Sequence, residues 1–285
     1  MSHSHARRRY LTAKQSVDDR ARSRRVRARM CNAVAEQPTV VEAGCGVGNS
    51  VASLLDWGIS PASYRGVDAD PDIVAFARSF LPKLLRRRGD AARETADGCL
   101  LGGEADEVPV TFQAADALTA LPGADAELLI AQSFLDLVPL QNALDAISGA
   151  LAPGGFAYAP LTFDGVTLFQ PEHPGDEQVI AAYHGDIDGT PGRDSRAGRR
   201  LIDRLRDREE ALLAVAASDW IVRPVDGQYR DDERYFLACI LEFVAEAIEG
   251  VDCAEDWLTT RREQLSSGAL TFIAHGYDLL WQRPR

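Results

Sequence analysis

The sequence predicts an α/β protein whose core is a doubly wound, mostly parallel, seven-stranded sheet. Three observations support this fold class: short apolar runs alternate with helix-compatible segments, a glycine-rich loop joins the first run to a helix, and acidic residues follow several of the runs. With 285 residues, of which 46% are hydrophobic, the chain is long enough to bury a sizeable core. Additional helices and insertions are expected at the N-terminus, after strand five, and between strands six and seven.

The most informative stretch is the first strand and the loop that follows it, residues 40–48, which read VVEAGCGVG. Glycine lets the backbone turn sharply and approach a ligand, because no Cβ blocks the way. The helix expected over residues 49–57 aims its free N–H groups at the same place. Strand, loop and helix together predict a cradle for a nucleotide cofactor, formed by Glu42, Gly44, Cys45, Gly46 and Gly48.

The spacing of the glycines indicates which nucleotide the cradle takes. A dinucleotide fingerprint reads G-x-G-x-x-G, whereas this loop reads E-x-G-x-G-x-G and continues with Asn49. This form resembles motif I of class I S-adenosylmethionine (SAM)-dependent methyltransferases, which have a Rossmann-like sheet. The resemblance implies SAM as the cofactor and S-adenosylhomocysteine as the product. A nicotinamide-dinucleotide domain is the main alternative, and a glycine-rich turn without a ligand is a third reading.

The second strand is expected over residues 64–68 and ends in an acidic residue, Asp68. A carboxylate at this position of a doubly wound nucleotide site accepts hydrogen bonds from both hydroxyls of a ribose. Asp68 is therefore the expected ribose ligand, with Ala69 beside it. Asp70 and Asp72 flank a proline, a pattern typical of a helix N-terminus, and they are interpreted as caps of the following helix.

Two further strands have polar residues at their carboxyl ends. Alternating apolar residues after position 107 predict the third strand, which is followed by Asp116 and Ala117. In the methyltransferases that the chain resembles, an aspartate at this position accepts from the adenine amino group, which implies the same role for Asp116. The fourth strand ends at Gln132 and Ser133, and the resemblance places both near the methionine part of the cofactor.

The fifth strand, expected over residues 156–161, completes the resemblance. An amphipathic helix over residues 144–151 precedes it, and the link between them reads APGG. An L-x-P-G-G segment before a strand is similar to the methyltransferase family between its fourth and fifth strands. These landmarks follow one another in the family's order across residues 38–163. The resemblance is therefore specific for fold and cofactor, but it says little about the methyl acceptor.

The other segments are assigned around this core. Residues 86–107 are polar and are expected to form a surface excursion, and residues 201–217 read as a charged amphipathic helix. Strand six is expected at residues 219–224, and strand seven begins at 269–275. The chain is divided into an N-terminal helical lid (1–36), a SAM-binding core (37–163), an insertion over the active site (164–200) and a C-terminal part of the sheet with a helical cap (201–285).

The first thirty residues hold ten basic residues but only two acidic ones, Asp18 and Asp19, although the whole chain has a net charge of −12. A basic arm on an acidic body has two interpretations, a nucleic-acid arm and a helical lid beside the cofactor cleft. Tyr10, Leu11 and Val17 recur at roughly helical spacing, which favours the lid. An RNA methyltransferase that uses this arm stays as an alternative, although an acidic body is a poor partner for a phosphate backbone.

Catalytic residues are expected in the insertion, because it follows strand five at the carboxyl ends of the strands, where open α/β sheets bind ligands. Methyl transfer needs a base only when the acceptor carries a proton that must leave. His184 is the expected base, with Tyr183 beside it and Asp186 able to orient the imidazole. His275 falls within a predicted strand and is interpreted as a core residue. No set of residues has tight metal-ligand spacing, so no metal is expected.

Taken with the composition, the sequence predicts a SAM-dependent methyltransferase that acts on an oxygen or nitrogen atom of a small-molecule acceptor. Residues 132–136 read QSFLD and lack the Asn/Asp-Pro-Pro-aromatic tetrad of DNA amino-methyltransferases. A non-catalytic module that binds SAM or NAD is the alternative outside enzymes. With no apolar run that could cross a membrane, no secretory signal and five cysteines without paired spacing, we expect a cytoplasmic monomer or homodimer, without a nucleic-acid partner.

Overall fold

One mixed sheet organises the residues that this computed structural model describes, 8–103 and 106–285. The strands are β1 Thr39–Ala43, β2 Ser63–Asp68, β3 Ala92–Thr95, β4 Gly98–Leu101, β5 Val108–Ala114, β6 Ala126–Ile130, β7 Leu151–Gln170, β8 Ala211–Ala217, β9 Trp220–Val222 and β10 Thr271–Gln282. The helices are α1 Arg8–Ala13, α2 Gln15–Ala21, α3 Arg24–Cys31, α4 Asn49–Asp56, α5 Pro71–Arg88, α6 Ala117–Ala120, α7 Leu140–Ala150, α8 Asp176–Gly189, α9 Ala197–Arg206, α10 Glu233–Ala247 and α11 Ala254–Ser267. The first seven residues of the expected lid lie outside the described part of the chain.

The strand order creates a crevice at the centre of the sheet. The order is β3-β4-β5-β2-β1-β6-β7-β10-β8, with β9 paired to β10. Strands β5, β2, β1, β6 and β7 run parallel, and β10 lies antiparallel between β7 and β8. The winding direction reverses between β1 and β6, the point at which open α/β sheets bind ligands outside the carboxyl ends of their strands. The predicted doubly wound, mostly parallel α/β class is confirmed.

Both faces of the sheet are buried, because neighbouring residues of each central strand enter different hydrophobic clusters. Val40 and Leu128 join the cluster that includes residues of α3, α4 and α5. Val41 and Leu129 join the cluster that includes residues of α7 and α9. Parallel strands that are covered on both faces read as continuous apolar runs, and this is why these strands could be recognised in the sequence.

The expected strand count of seven is wrong, since the described residues form a sheet of ten strands. The segment predicted as a surface excursion supplies two of them, because β3 and β4 form an antiparallel hairpin on the edge of β5. Cys99 and Leu101 of this hairpin are buried beside α5, while Arg93 and Glu94 stay exposed. The charged residues on the exposed side concealed the strand pattern. The third additional strand is β8, which pairs with β10.

A helix expected over residues 201–217 is also wrong in its second half. Helix α9 ends at Arg206, and residues 211–217, which read ALLAVAA, form β8. Alanine and leucine favour a helix in isolation, but β8 pairs with β10 along its length, and this tertiary contact outweighs the local preference. The strand expected at residues 219–224 is β9, which pairs with the beginning of β10 instead of following β7 in the sheet.

The two longest strands, β7 and β10, extend beyond the carboxyl ends of the strands that run parallel to β7. β7 has 20 residues, so the strand expected over residues 156–161 continues to Gln170, and β10 has 12. We call the part formed by residues 162–170, 220–222 and 271–275 the β7–β10 extension. Its Phe169 and Phe272 pack against α10 and α11, the two cap helices expected before the last strand. The predicted insertion therefore begins as sheet and only then forms α8.

The N-terminal segment folds into three helices that pack on the rest of the chain. Tyr10 of α1 stacks on Phe236 of α10 with 5.7 Å between ring centroids and meets Phe243 edge-on at 5.2 Å. Val26 and Met30 of α3 are fully buried in the cluster that also contains residues of β8. Helices α1 and α2 thus lie against the cap, and α3 lies against the sheet.

No helix within residues 8–103 and 106–285 has the length and apolar character that crossing a membrane requires.

Candidate active site

A cavity of about 590 Å³ lies at the carboxyl ends of the parallel strands. Its walls come from the loop after β1, the ends of β2, β5 and β6, the helices α1 and α2, and the β7–β10 extension with α8. The predicted cofactor residues that line it are Glu42, Gly44, Cys45, Gly46, Asp68, Ala69, Asp116, Ala117, Gln132 and Ser133. Gly48 is the one predicted residue outside the lining. The fold therefore brings together residues that the sequence distributes over ninety positions.

The first two loop glycines are required by backbone geometry. Gly44 has φ +65° and Gly46 has φ +52°, a left-handed conformation that favours glycine. A Cβ on Gly44 would lie 2.6 Å from the ring of Phe134, whereas a Cβ on Gly46 would meet only Leu11 of α1 at an ordinary 3.6 Å. The space beside Gly46 is thus the opening between the loop and the N-terminal helices, and a ligand can approach the backbone there.

Gly48 and Cys45 are explained by packing. Gly48 precedes α4 with φ +82°, and a Cβ on it would come within 2.7 Å of the ring of Phe112. Cys45 is 5% exposed. A Cβ added at Gly66 would lie only 2.8 Å from the Sγ of Cys45. Both small residues allow β1, β2 and β5 to pack beneath the loop, so neither needs a ligand to account for it.

Asp68 fixes the loop from the neighbouring strand. Its Oδ2 accepts from the backbone N–H of Gly46 at 2.9 Å, and its Oδ1 accepts from the N–H of Asp70 at 3.0 Å. A carboxylate has about four acceptor positions, so both oxygens keep capacity for ribose hydroxyls. Asp70 accepts from the N–H groups of Asp72 at 2.8 Å and Ile73 at 3.3 Å, which confirms its predicted role as the cap of α5.

Asp116 is also a helix cap. Its Oδ1 accepts from the N–H of Leu118 at 2.9 Å, at the start of α6. The residue nevertheless lines the cavity, with Ala117 next to it. Capping holds one carboxylate oxygen in place, and the other is available to a ligand.

Glu42 is 2% exposed and is held by protein groups at both oxygens. Oε1 accepts from Ser50 Oγ at 2.5 Å, and Oε2 accepts from the hydroxyl of Tyr64. Burial raises the pKa of Glu42 to about 7, and the hydrogen bonds from Ser50 and Tyr64 act in the opposite direction. Glu42 therefore connects β1 to α4 and β2 directly beneath the glycine loop.

The two residues after β6 contact the N-terminal helices. Gln132 accepts from Arg22 Nε at 3.0 Å and Nη2 at 2.6 Å, and its amide donates to Asp18 Oδ2 at 3.0 Å. Ser133 has φ +47° and accepts from Lys14 Nζ at 3.3 Å. These bonds join the end of a central strand to α2 and its flanking residues.

Asp18 is the centre of this contact. Its side chain is 2% exposed and accepts from Gln132 and from Trp220 Nε1 at 2.9 Å, and it pairs with Lys14 at 3.2 Å. A buried carboxylate needs such partners, because its desolvation is expensive. Arg20 reaches the buried Glu233 of α10 in a second ion pair. Helices α1 and α2 thus close one side of the cavity through polar contacts with three distant parts of the chain.

The structure separates the two predicted catalytic residues. Tyr183 lines the cavity, and burial, with a contribution from the charge of Asp136, raises its pKa to about 12, so its hydroxyl stays protonated. His184 does not line the cavity. Its Nε2 is 2.9 Å from Oγ1 of Thr167, which is a lining residue, and its ring meets Phe163 edge-on at 5.6 Å. Burial lowers the pKa of His184. His184 therefore lies behind the cavity wall, and the side chain of Thr167 separates it from the cavity.

His275 lines the cavity and has a carboxylate partner, which the interpretation as a core residue missed. Its Nδ1 lies 2.6 Å from Oδ1 of Asp219, and its side chain is 23% exposed. Asp219 belongs to the link between β8 and β9, and the sequence assigned this residue to a strand. Because the pair depends on the register of three strands, the sequence carries no local signal for it.

Three buried polar atoms in the wall have no hydrogen-bond partner among the described residues, namely Oγ of Ser218 and one side-chain oxygen each of Asp136 and Asn49. Oδ1 of Asp136 is buried and unpaired, and burial raises the pKa of Asp136 to about 6, against the opposing charges of Lys14 and Arg193. Oδ1 of Asn49 is also buried and unpaired, while its Nδ2 donates to the carbonyl oxygen of Leu11 at 3.2 Å. Buried acceptors without a donor are uncommon, so the oxygens of Asp136 and Asn49 indicate groups that a ligand would satisfy.

Two further polar residues of the segment 164–200, His173 and Asp164, lie outside the cavity lining. His173 pairs with Asp256 at 3.2 Å, and Asp164 holds Arg199 at 2.9 Å. Across the residues that the structure describes, no cluster of three or more His, Cys, Asp or Glu side chains has an arrangement suited to a metal ion.

Sequence comparison provides no assignment: no family model matches the chain, and no curated protein matches it. Solved structures, in contrast, share its architecture. A "putative methyltransferase" from Bacillus halodurans C-125 superposes with a TM-score of 0.53 at 11% identity, covering 91% of this chain and 97% of that one. The "putative methyltransferase" of Haloferax volcanii, solved in complex with the Trm112 methyltransferase activator, gives 0.52 at 14% identity and covers 97% and 94%.

A third structure, the YcgJ protein from Bacillus subtilis, gives a TM-score of 0.51 at 12% identity, covering 92% of this chain and all of that one. The likeness at these identities concerns the fold. The fold implied by the resemblance to class I methyltransferases is thereby confirmed, with a Rossmann-like sheet that is extended by three strands.

Proposed function

We propose that this protein is a SAM-dependent methyltransferase that acts on an oxygen or nitrogen atom of a small molecule. One observation carries the proposal: the glycine loop, Asp68 and Asp116 all line one cavity at the switch point of a sheet that has a methyltransferase fold. Each of these elements is common by itself. Their order along the chain and their meeting at one cavity support SAM over a dinucleotide.

The residues in the wall fit this cofactor. The backbone at Gly46 is open to a ligand, and the unpaired Oδ1 of Asn49 at the start of α4 needs a hydrogen-bond donor. We assign the ribose hydroxyls to Asp68, the adenine amino group to Asp116, and the methionine part to the region of Ser133. When bound, SAM supplies an activated methyl group. The residues of the chain have to position the acceptor and exclude water.

A small acceptor is favoured by the shape of the site. Cofactor and acceptor share about 590 Å³, which is within the range of small-molecule pockets. Tyr10, Leu11, Lys14 and Asp18 line the cavity, so the N-terminal segment faces it with helices α1 and α2 rather than with a row of arginines. These features support the interpretation of the segment as a lid over the RNA alternative.

Calorimetry with SAM, S-adenosylhomocysteine and NAD tests the cofactor. We expect dissociation constants in the micromolar range for the first two, or about −8 kcal/mol. Asp68→Ala removes a charged acceptor and should weaken SAM binding by about 1.5–3 kcal/mol. Asp70→Ala is the matched control two residues away, which should reduce stability by about 1 kcal/mol and leave affinity unchanged. NAD binding as tight as SAM binding would contradict the proposal.

The RNA alternative has its own test. Filter binding of bulk RNA at two salt concentrations should show weak retention by the intact protein. Tight binding that falls steeply with salt, and that is lost on replacing the exposed Arg24 and Arg29 by alanine, would favour the RNA methyltransferase instead.

A further inference from the structure

We propose that His275, oriented by Asp219, is the general base of this site, and that the acceptor is a hydroxylated aromatic molecule methylated on its phenolic oxygen. This inference rests on the proposed methyl transfer and specifies its substrate class. It is carried by the geometry of the imidazole–carboxylate pair and by the groups around it in the cavity.

The pair determines which ring nitrogen is free. Oδ1 of Asp219, a carboxylate oxygen, is an acceptor, so at 2.6 Å Nδ1 of His275 must be the donor. A neutral imidazole with hydrogen on Nδ1 keeps its lone pair on Nε2. In the described part of the chain, no hydrogen bond to Nε2 is present. A ring in the wall of a ligand cavity, with one nitrogen fixed by a carboxylate and the other unengaged, has the arrangement of a general base.

An irregularity of the sheet places this histidine in the wall. β10 pairs with β9 up to Ala274 and with β8 from Tyr277 onward, and its register against β7 shifts between Ala274 and Gly276. His275 lies in that shift. The link that contains Asp219 is anchored there, because the N–H of Ser218 donates to the carbonyl oxygen of Gly276 at 2.8 Å. Bulges re-aim side chains and are frequent beside active sites, and this one turns His275 to the cavity.

The surroundings favour a flat acceptor. Tyr277 packs edge-on against the imidazole at 4.9 Å, and the lining of the cavity includes Phe163, Trp220 and Phe272. Aromatic walls bind planar rings through stacked and edge-to-face contacts. The unpaired Oδ1 of Asp136 provides an acceptor for a further O–H or N–H of the molecule. The charged or titratable groups of the wall are Tyr10, Lys14, Asp18, Asp136, Tyr183 and Arg193 from the surrounding helices and loops, and Glu42, Cys45, Asp68, Asp70 and Asp116 from the carboxyl ends of β1, β2 and β5.

The difference in pKa between an imidazole base and the acceptor hydroxyl indicates which type of hydroxyl the site would use. A phenol has a pKa of about 10 and an imidazole one of about 6.5, a gap that a positioned base can bridge as the proton leaves. An aliphatic alcohol has a pKa close to that of water, about 15.7, so its proton is much harder to remove and a phenol is the more readily activated acceptor for the same base. A carboxylic acid, at about 4, is already ionised and needs no base. An unprotonated amine also needs no base before it attacks the methyl group.

The proposed transfer is a direct displacement at the methyl carbon. The acceptor oxygen forms its bond to the methyl carbon while Nε2 of His275 takes the phenolic proton. The electron pair of the broken carbon–sulfur bond stays on sulfur, so the cofactor product leaves neutral at that atom. The imidazolium, stabilised by the carboxylate of Asp219, then releases its proton to water.

The first test does not depend on turnover. Nitrogen NMR of the intact protein with S-adenosylhomocysteine bound should show His275 as the Nδ1–H tautomer, assigned by the signal that His275→Gln removes. Asp219→Ala should abolish this preference, and Asp219→Glu should restore it. Added 4-nitrophenol should bind to this complex as its coloured phenolate at a pH where it is neutral in solution, and His275→Gln should abolish that shift. An Nε2–H tautomer, or 4-nitrophenol that stays neutral, would overturn the proposal.

The second test is turnover of SAM with matched phenols and anilines, followed by release of S-adenosylhomocysteine. His275→Gln should lower kcat for phenols by about 10²–10⁴ and remove the rise of kcat with pH, with SAM affinity unchanged. His173→Gln is the matched control, because it changes an imidazole that pairs with Asp256 outside the cavity lining. Absence of SAM binding would refute the proposed function itself. SAM binding without turnover of any phenol, or loss of turnover in His184→Gln but not in His275→Gln, would refute only the base and the substrate class.

Discussion

The two halves of the cavity are built in different ways. The half that we assign to the cofactor, called the cofactor half, comprises the loop of Gly44 and Gly46 with Asp68 and Asp116, and consists of backbone turns and carboxylates that hold nearby backbone N–H groups. The acceptor half consists of side chains from α1, α2, α8 and the β7–β10 extension, which meet only because the chain folds. Local rules determine the first half, and long-range register determines the second.

This difference has a consequence for specificity. The cofactor half is part of the sheet, so a change at Gly46 or Asp68 is expected to disturb the loop and the ligand together. The acceptor half lies on the extension, beyond the point where β7 and β10 leave the central sheet, and substitutions there alter the wall without touching β1 or β2. We therefore expect the cofactor to be fixed by the fold and the acceptor to be set by residues such as Tyr183, Trp220 and His275.

The largest effect is expected at Gly46, which tests the dependence of the cofactor half on the backbone. Gly46→Phe places a large side chain in the opening between the loop and α1 and forces a left-handed residue, so SAM affinity should fall at least a hundredfold, about 3 kcal/mol or more. Gly58→Phe is the control, since Gly58 has φ +79° but no atom within 4 Å of an added Cβ. Equal losses of SAM affinity in both variants, measured by calorimetry, would attribute the effect to strain alone.

The next effect tests whether Glu42 stabilises the fold beneath the cofactor half without contributing to SAM affinity. Because the pKa of Glu42 is raised from 4.5 to about 7, the folded state holds its proton more tightly, and stability should fall as pH rises through this interval. Glu42→Gln should remove about 2–3 kcal/mol of this decline between pH 4.5 and 7 and leave SAM affinity unchanged. Denaturant unfolding at several pH values measures it, with the exposed Glu36→Gln as control. An unaltered pH dependence would show that Glu42 is ionised in the folded protein.

The smallest effect concerns the helices over the acceptor half. Asp18→Asn removes the charge that pairs with Lys14 and weakens the acceptor for Trp220 and Gln132, so the closed position of α2 should be less stable by about 1.4 kcal/mol. Cofactor dissociation, followed by stopped flow, should then be about tenfold faster. The exposed Arg24→Ala on α3 should not change it. An unchanged rate for Asp18→Asn would mean that the helices do not act as a lid.

The same contrast explains which features could be read from the sequence. Asp70 was predicted as a cap because capping depends on neighbours two and three residues away, and the hydrogen bonds confirm it. Gly44 and Gly46 could be recognised because left-handed backbone and glycine go together. The central strands could be recognised because burial on both faces leaves a continuous apolar run.

The missed features depend on distant partners. Residues 211–217 have a helical composition and become β8 only because β10 pairs with them. The β3–β4 hairpin was concealed by charged residues on its exposed side. The sequence predicts a core residue at His275, because nothing near it in the chain indicates a bulge or a carboxylate partner 56 positions earlier. His184 was favoured for its place in the insertion, yet one side-chain layer, Thr167, separates it from the cavity lining.

The contacts of α2 also determine when this helix can dock while the chain is being synthesised. Asp18 leaves the ribosome early, but Gln132 follows it by 114 residues and Trp220 by 202. Contacts at such separations form late, because the intervening chain must first be made and folded. The sheet with its glycine loop can thus assemble while α1 and α2 still lack their docking surface. Helix α2 is translated before the residues on which it docks, so we expect it to be among the last elements to reach its place, with the cleft open on that side until then.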